Sequence, residues 1–321
     1  MSLATTLLLV IAAALAAASV RIVGAYNRDM RRAHAEARQG ARVVQTAAGP
    51  IEYAETGAGT PLLSIHGAGG GFDQGLANVA SFVGGDFRVI APSRFGYLGT
   101  PVPLDTSVAA QADAHAALLA ALGIEKAIVV GASAGARSAA AFAIRHPDRV
   151  MALILIVPAT YAPTSPVMIE ASRASALVLR LVTTGADFIW WLLEKCAPSI
   201  LVRFVGVPPP VLAAASESER HRIMDIVRRA QPLSFRTRGI AIDSQPDAEQ
   251  PFERIRAPTL VISARDDLFN TLPAARHAAG AIPGAQLVVY DSGGHLLAGR
   301  ADDAARVVRE FLAAQARERS R

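Results

Sequence analysis

The chain has 321 residues, 52% hydrophobic and 18% charged, which is too apolar for a disordered protein and long enough for one large or two ordinary folded domains. Its single cysteine, Cys196, excludes an internal disulfide framework and a cysteine-ligated zinc site. The net charge of +5 comes almost wholly from arginine, since Lys126 and Lys195 are the only lysines; with 6% aromatic residues and no nucleic-acid motif, no nucleic-acid partner is expected.

The N-terminus reads MSLATTLLLVIAAALAAASV, with no charge from Leu3 to Val20. About 20 apolar residues cross a bilayer as a helix. No Lys or Arg precedes the run, whereas Arg21, Arg28, Arg31, Arg32, Arg38 and Arg42 follow it. That order fits a signal anchor better than a cleaved signal peptide, although small residues at Ala16–Ala18 could serve a peptidase. An Ala-rich helix packed on the domain is the remaining alternative. The expectation is a single-pass anchor over 1–24 and a basic juxtamembrane helix over 25–41, stopped near Gly40. Positive charge after the span places the domain on the cytoplasmic side; a secreted or periplasmic domain follows if the segment is cleaved.

From Ala41 the pattern changes. ARVVQT and GPIEYAET predict a hairpin around a Gly49-Pro50 turn, and PLLSIH predicts a buried strand opening into the glycine-rich loop HGAGGG. A helix over about 73–83, the strand FRVIAP and a helix over 107–122 follow. KAIVVGASAG is a strand running into a turn, with a helix over 134–145 and the strand RVMALILIVPA behind it. APTLVIS, a helix over 272–281, AQLVVY and a closing helix over 301–317 complete an alternation that predicts an α/β fold with a mainly parallel sheet. Residues 159–253 break the alternation. Helical stretches at 165–182, 186–204, 216–230 and 233–243, separated by breaks such as VPPPV, predict a helical insertion over the C-terminal edge of the sheet, where ligands bind in open α/β sheets.

Gly131-Ala132-Ser133-Ala134-Gly135 is a G-x-S-x-G pentapeptide between a β-branched strand and an Ala-rich helix. In that setting a sharp turn exposes the serine oxygen, and flanking side chains would clash. A serine hydroxyl needs a base beside it. Of seven histidines, His295 in DSGGH follows the last strand and precedes the last helix; His34, His115, His146, His221 and His277 do not end a strand near the serine. Asp267, or its neighbour Asp266, follows the strand TLVIS and can orient the base, giving the chain order Ser, Asp, His. An oxyanion hole needs two backbone N–H donors: one from Ala134 and one from the loop His66-Gly67-Ala68-Gly69-Gly70-Gly71, with Ala68 preferred and Gly69 next. His66 and Gly67 would support that loop.

Together HGAGGG, GASAG, ARDD and GGH, in this order, resemble the α/β-hydrolase superfamily over 42–158 and 254–318. The resemblance implies an eight-stranded, mainly parallel sheet with flanking helices, a helical cap at 159–253, and Asp267 as the acid, being the fourth residue of a segment where Ala264 replaces the usual glycine. It also implies a structural role for Arg94 in APSRFGY. Serine at 133 argues against the dehalogenases and epoxide hydrolases of this fold, whose nucleophile is aspartate. Esterases, lipases, thioesterases, amidases, carbon–carbon bond hydrolases and the perhydrolase-like branch remain, as does a non-catalytic binding protein on the same scaffold. The acid loop is of the meta-cleavage hydrolase style, but Leu296 stands where those enzymes usually carry an aromatic residue. The expectation is a cofactor-free, metal-free serine hydrolase of an ester or lipid. Apolar cap residues (Phe188, Trp190, Trp191, Leu192, Leu193, Val205) either shape its pocket or simply pack the cap.

Overall fold

A computed structural model describes residues 2–83, 85–163, 180 and 182–319. Helix α1 (Leu3–Glu36) precedes the hairpin β1 (Arg42–Thr46) and β2 (Gly49–Thr56). There follow β3 (Thr60–Ile65), α2 (Phe72–Val79), β4 (Phe87–Pro92), α3 (Val108–Ala121), β5 (Ala127–Ala132), α4 (Gly135–Arg145) and β6 (Val150–Ile156). Five described helices come next: α5 (Asp187–Cys196), α6 (Pro198–Phe204), α7 (Pro209–Ala214), α8 (Glu217–Arg229) and α9 (Thr237–Asp243). The chain closes with β7 (Thr259–Ala264), α10 (Leu272–Ala281), β8 (Gln286–Tyr290) and α11 (Ala301–Arg319).

The eight strands form one sheet in the order β1-β2-β4-β3-β5-β6-β7-β8. Only the pairs β1–β2 and β2–β4 are antiparallel. The central strands are apolar throughout because helices cover both faces. Along β5, Val129 packs under α3, α4 and α10, while Ile128 and Val130 face the opposite side with Val308, Phe311 and Leu312 of α11. Each such side chain contributes about 1.5–3 kcal/mol on burial. The parallel order brings the ends of β3, β5, β6, β7 and β8 to one edge, so the loops that follow them converge there.

Several boundaries differ from the sequence expectation. The hairpin turns at Ala47-Ala48, and Gly49 pairs with Thr46 inside the ladder. Pro50 is tolerated in β2 because its partner β1 is a short edge strand. Helix α2 stops at Val79, four residues early. The stretch 186–204 is two helices, since Pro198 cannot continue α5 and instead starts α6. Pro209 likewise opens α7 where a break was expected, because proline at the first helical turn loses no hydrogen bond. The expected helix at 165–182 lies outside the described residues apart from positions 180 and 182. The segments 1–24 and 25–41 are not separate helices: α1 is continuous for 34 residues. Its residues 3–23 are exposed, and its second half packs on α5 and the segment before α9. Tyr26 meets the rings of Phe188 and Trp191 edge-on, and Trp191 Nε1 donates to Asp29 at 3.0 Å. Met30 is buried, and His34 stacks edge-on against Phe235.

The helices between β6 and β7 are tied to the sheet loops by buried charges. Arg94, on the loop after β4, donates twice to Asp243 at the end of α9, at 2.7 and 2.6 Å, and Tyr97 donates a third hydrogen bond to the same carboxylate. Burial alone would pull the Arg94 guanidinium down, but Asp243 outweighs it and holds it above its ordinary value. The fully buried Arg236 pairs with Asp73 at the start of α2, at 3.0 Å. Removing one partner leaves the other buried and uncompensated. Asp243→Ala is therefore expected to destabilise the protein by about 3–5 kcal/mol in urea denaturation. Asp113→Ala, which breaks the half-exposed pair with Arg145, is expected to cost under about 1 kcal/mol.

Candidate active site

The reversal from β5 into α4 places Ser133 in the left-handed region, at φ 50°. Such a non-glycine conformation costs about 1–3 kcal/mol and persists only where neighbours enforce it. Here the Ser133 N–H donates to Ile156 O at 2.9 Å, and Ser133 O accepts from the N–H groups of Ala136 and Ala159, both at 3.0 Å. The two glycines are required by close approach. A Cβ at Gly131 would lie 2.5 Å from Ala139 Cβ, and one at Gly135 would lie 2.4 Å from the carbonyl oxygen of His66. The turn therefore packs directly against the loop that follows β3.

That loop is a turn closed by the Gly70 N–H on Gly67 O at 3.3 Å, with Gly69 at φ 72° supplying the positive φ of a type II geometry. Side chains hold its backbone almost atom by atom. His66 Nδ1 bonds Gly67 O at 2.7 Å, and Gln74 accepts from Gly67 N at 2.8 Å. Tyr97 OH accepts from Gly69 N at 3.3 Å, and Arg94 Nε donates to His66 O at 2.9 Å. His66 Nε2 accepts from the Arg94 N–H, so its proton is on Nδ1, aimed at Gly67 O. Burial, then the Arg94 charge, push the His66 pKa well below its ordinary value, so the ring is neutral at physiological pH. Among the described residues, the N–H groups of Ala68 and Ala134 have no protein acceptor.

His295 follows β8, and Asp267 follows β7. His295 Nδ1 lies 2.8 Å from Asp267 Oδ2, and both side chains are buried. Thr271 Oγ1 donates to the same oxygen, and the Phe269 N–H donates to Oδ1 at 2.8 Å. Burial pushes the Asp267 carboxyl up, but His295 and these donors outweigh it and hold it below the usual carboxylate range. The rival Asp266 accepts instead from the N–H groups of Gly294 at 2.8 Å and Gly293 at 3.3 Å, bracing the loop that carries His295. Phe269 meets the imidazole edge-on at 4.5 Å, and Gly206, between α6 and α7, accepts the His295 N–H at 2.9 Å. Thr271, Phe269, Gly206, Gln74, Asp243 and Arg236 carry no sequence signal of these contacts, because each contact depends on how the closed chain packs. His115 is buried against Ser138, and burial pushes it down to about 3.

Ser133, Ala134, Ala68, Phe269 and His295 line one cavity of about 2140 Å³. That exceeds the roughly 300–1,000 Å³ of an ordinary small-molecule pocket. It runs between the sheet and the helices above it, past Trp190, Trp191 and Val205, to Asp29, Arg32, Ala33 and Glu36 of α1. Of the apolar residues expected here, Trp190 is mostly packing: it is buried and donates to Val227 O at 3.1 Å.

A strand-turn-helix serine, a histidine–carboxylate pair and two free amides at one sheet edge define the α/β-hydrolase class. The model of the alpha/beta hydrolase family matches residues 62–310, and the chain belongs to that family. It is 30% identical over 268 residues to a 2-hydroxymuconate semialdehyde hydrolase of Pseudomonas putida, covering 81% of this chain and 89% of that protein. An alpha/beta hydrolase fold protein from Nakamurella multipartita superposes with a TM-score of 0.66 at 29% identity, over 85% of this chain and 98% of that one. The fold is shared, at 23% identity and a TM-score of 0.62, with a bacterial membrane phospholipase A, over 98% of this chain and 97% of that one.

The depressed Asp267 pKa makes a prediction about stability. A carboxyl whose folded pKa lies below its unfolded value, about 3.9, contributes stability that is complete above that value and lost as pH falls through the folded one. Wild type is therefore expected to exceed Asp267→Asn in urea stability at pH 7, with the gap closing below about pH 4.

Proposed function

We propose that this protein is a membrane-anchored serine hydrolase that cleaves carboxylic esters of apolar or amphiphilic substrates, lipids among them. The observation that carries the reading is the shared cavity: Ser133 and His295, the latter paired with Asp267, open into one space that continues to the base of the exposed apolar helix α1. Ser133 is the nucleophile. His295 takes its proton and returns it to the leaving alcohol. Asp267 holds the imidazole tautomer and stabilises the imidazolium. The amides of Ala68 and Ala134 bind the oxyanion, and water then releases the acyl group through His295. Residues 1–24 are the anchor and 25–41 its basic extension. The hydrolase core comprises 42–158 and 254–321, and the cap 159–253. The arginines after the apolar run support a cytoplasmic side for the core.

Similarity to the 2-hydroxymuconate semialdehyde hydrolase favours a second reading, cleavage of a carbon–carbon bond. An anionic dienoate substrate needs a cation to receive its carboxylate. Among the described residues six arginines and Lys195 line the cavity, and two of those arginines, Arg137 and Arg236, already have several partners. Arg137 donates to the carbonyls of Ala159, Asp243 and Gln245, and Arg236 to Asp73 and two carbonyls.

With full-length protein in detergent micelles, a fluorophosphonate probe is expected to label Ser133, and p-nitrophenyl esters to turn over faster as the acyl chain lengthens. Ser133→Ala and His295→Ala are each expected to lose at least about 10³-fold in kcat. Asp267→Asn should lose about 10⁴-fold, and Asp266→Asn less than about 10-fold. Absence of both label and ester turnover, with cleavage of a ring-fission dienoate, would install the second reading instead.

A further inference from the structure

We propose that Arg236, outside the catalytic set, is a positioning residue for the oxyanion turn. The inference rests on the assignment of Ala68 N–H as an oxyanion donor. In a trans peptide the carbonyl of one residue and the N–H of the next share a plane and point oppositely. The direction of the Ala68 N–H is thus set by whatever holds Gly67 O. Two groups do so: the neutral His66 ring and the Gly70 N–H that closes the turn. The position of Gly70 is in turn set by Arg236, whose Nη1 donates to Gly70 O.

Arg236 is built to stay where it is. It is fully buried, its Nη2 donates to Asp73 Oδ2 at 3.0 Å and to Arg229 O at 2.8 Å, and Asp73 belongs to the first turn of α2, which begins where the oxyanion loop ends. The loop leaves no room for slippage on this side, since a Cβ at Gly71 would lie 3.0 Å from Arg236 Nη1. Next to it, Phe235 O accepts the Leu98 N–H at 2.9 Å, which fixes the arginine's own backbone to the loop after β4. A surface arginine would exchange these bonds for water. A buried one, with its charge balanced by Asp73, holds a single geometry. Burying a guanidinium is unfavourable, and Arg236 is buried with both Nη atoms engaged while its Nε has no partner among the described residues; an apolar residue would fill the same space without fixing Gly70 O.

The test uses full-length protein in detergent micelles, a short p-nitrophenyl ester as substrate and a trifluoromethyl ketone as the analogue of the tetrahedral adduct. Displacing a donor by a fraction of an ångström lowers kcat without weakening ground-state binding. Arg236→Met is expected to lower kcat by about 10- to 100-fold, to leave KM within about threefold, and to weaken the ketone by the same factor as kcat. Arg236→Lys should recover part of both losses. If Arg236→Met does not fold, Arg236→Lys and Asp73→Asn are read in the same way, with smaller but parallel losses in kcat and ketone affinity. Unchanged kcat in a folded variant, a rise in KM alone, or a fall in kcat with ketone affinity intact would overturn the proposal. Ser133→Ala separates the two levels. If it remains active, the site assignment fails and this inference with it. If it is inactive while the Arg236 variants behave as wild type, only the inference fails.

Discussion

The strand-to-helix reversal at Ser133 governs the rest of the molecule. To present an oxygen at the sheet edge, the chain must turn within one residue, and that residue must take a positive φ. The turn is tolerated because β6 supplies an acceptor for its N–H, while the glycines two residues to either side have no side chain to collide with α4 or with the loop after β3. The glycine at 135 has a second effect. It lets the His66 carbonyl approach the start of α4 so closely that two loops, after β3 and after β5, become one surface. The free amides of Ala68 and Ala134 stand on that surface.

The helices above the sheet are joined to this surface by charge more than by apolar contact. Arg94 with Asp243, and Arg236 with Asp73, are buried pairs whose desolvation offsets much of their attraction. What they supply is register. Each guanidinium also donates to a backbone carbonyl of the loop after β3, so the helices cannot shift without moving it. Glu219 and Arg222 of α8 extend the pattern to the histidine loop, accepting from Gly299 N and donating to Leu296 O. The helices between β6 and β7 therefore form part of the scaffold that orients the loops after β3 and β8, as well as a wall of the cavity.

Helix α1 shows two environments in one continuous element. Its first twenty residues carry large aliphatic side chains with nothing packed on them. Its last turns present Tyr26, Asp29, Met30 and His34 to α5 and to the Gln231–Phe235 segment. Because a helix is stiff over such a span, the apolar half is held at a defined angle to the cavity mouth.

Alternating strands and helices, the glycine-flanked serine, the acid after β7 and the histidine after β8 were all legible in the sequence, because each is written in a local pattern: β-branched runs, turn residues and fixed spacing. The residue pattern alone left Asp266 and Asp267 open, and the family resemblance pointed to Asp267. Both follow the same strand, and only their contacts show that one faces the imidazole while the other braces its loop. The hairpin turn and the start of α7 departed from expectation because Gly and Pro are ambiguous signals, ending an element in one context and beginning it in another. The arginine–carboxylate pairs were invisible for a simpler reason. Asp243 is 149 residues from Arg94, and Arg236 is 163 from Asp73, so their contact is a property of the closed chain. The sequence by itself determined the fold class and the residue types at the sheet edge. Tertiary structure alone decided how the two carboxylates divide their contacts, which groups hold the turn after β3 and where the cavity leads, because burial and long-range pairing exist only once the elements have packed.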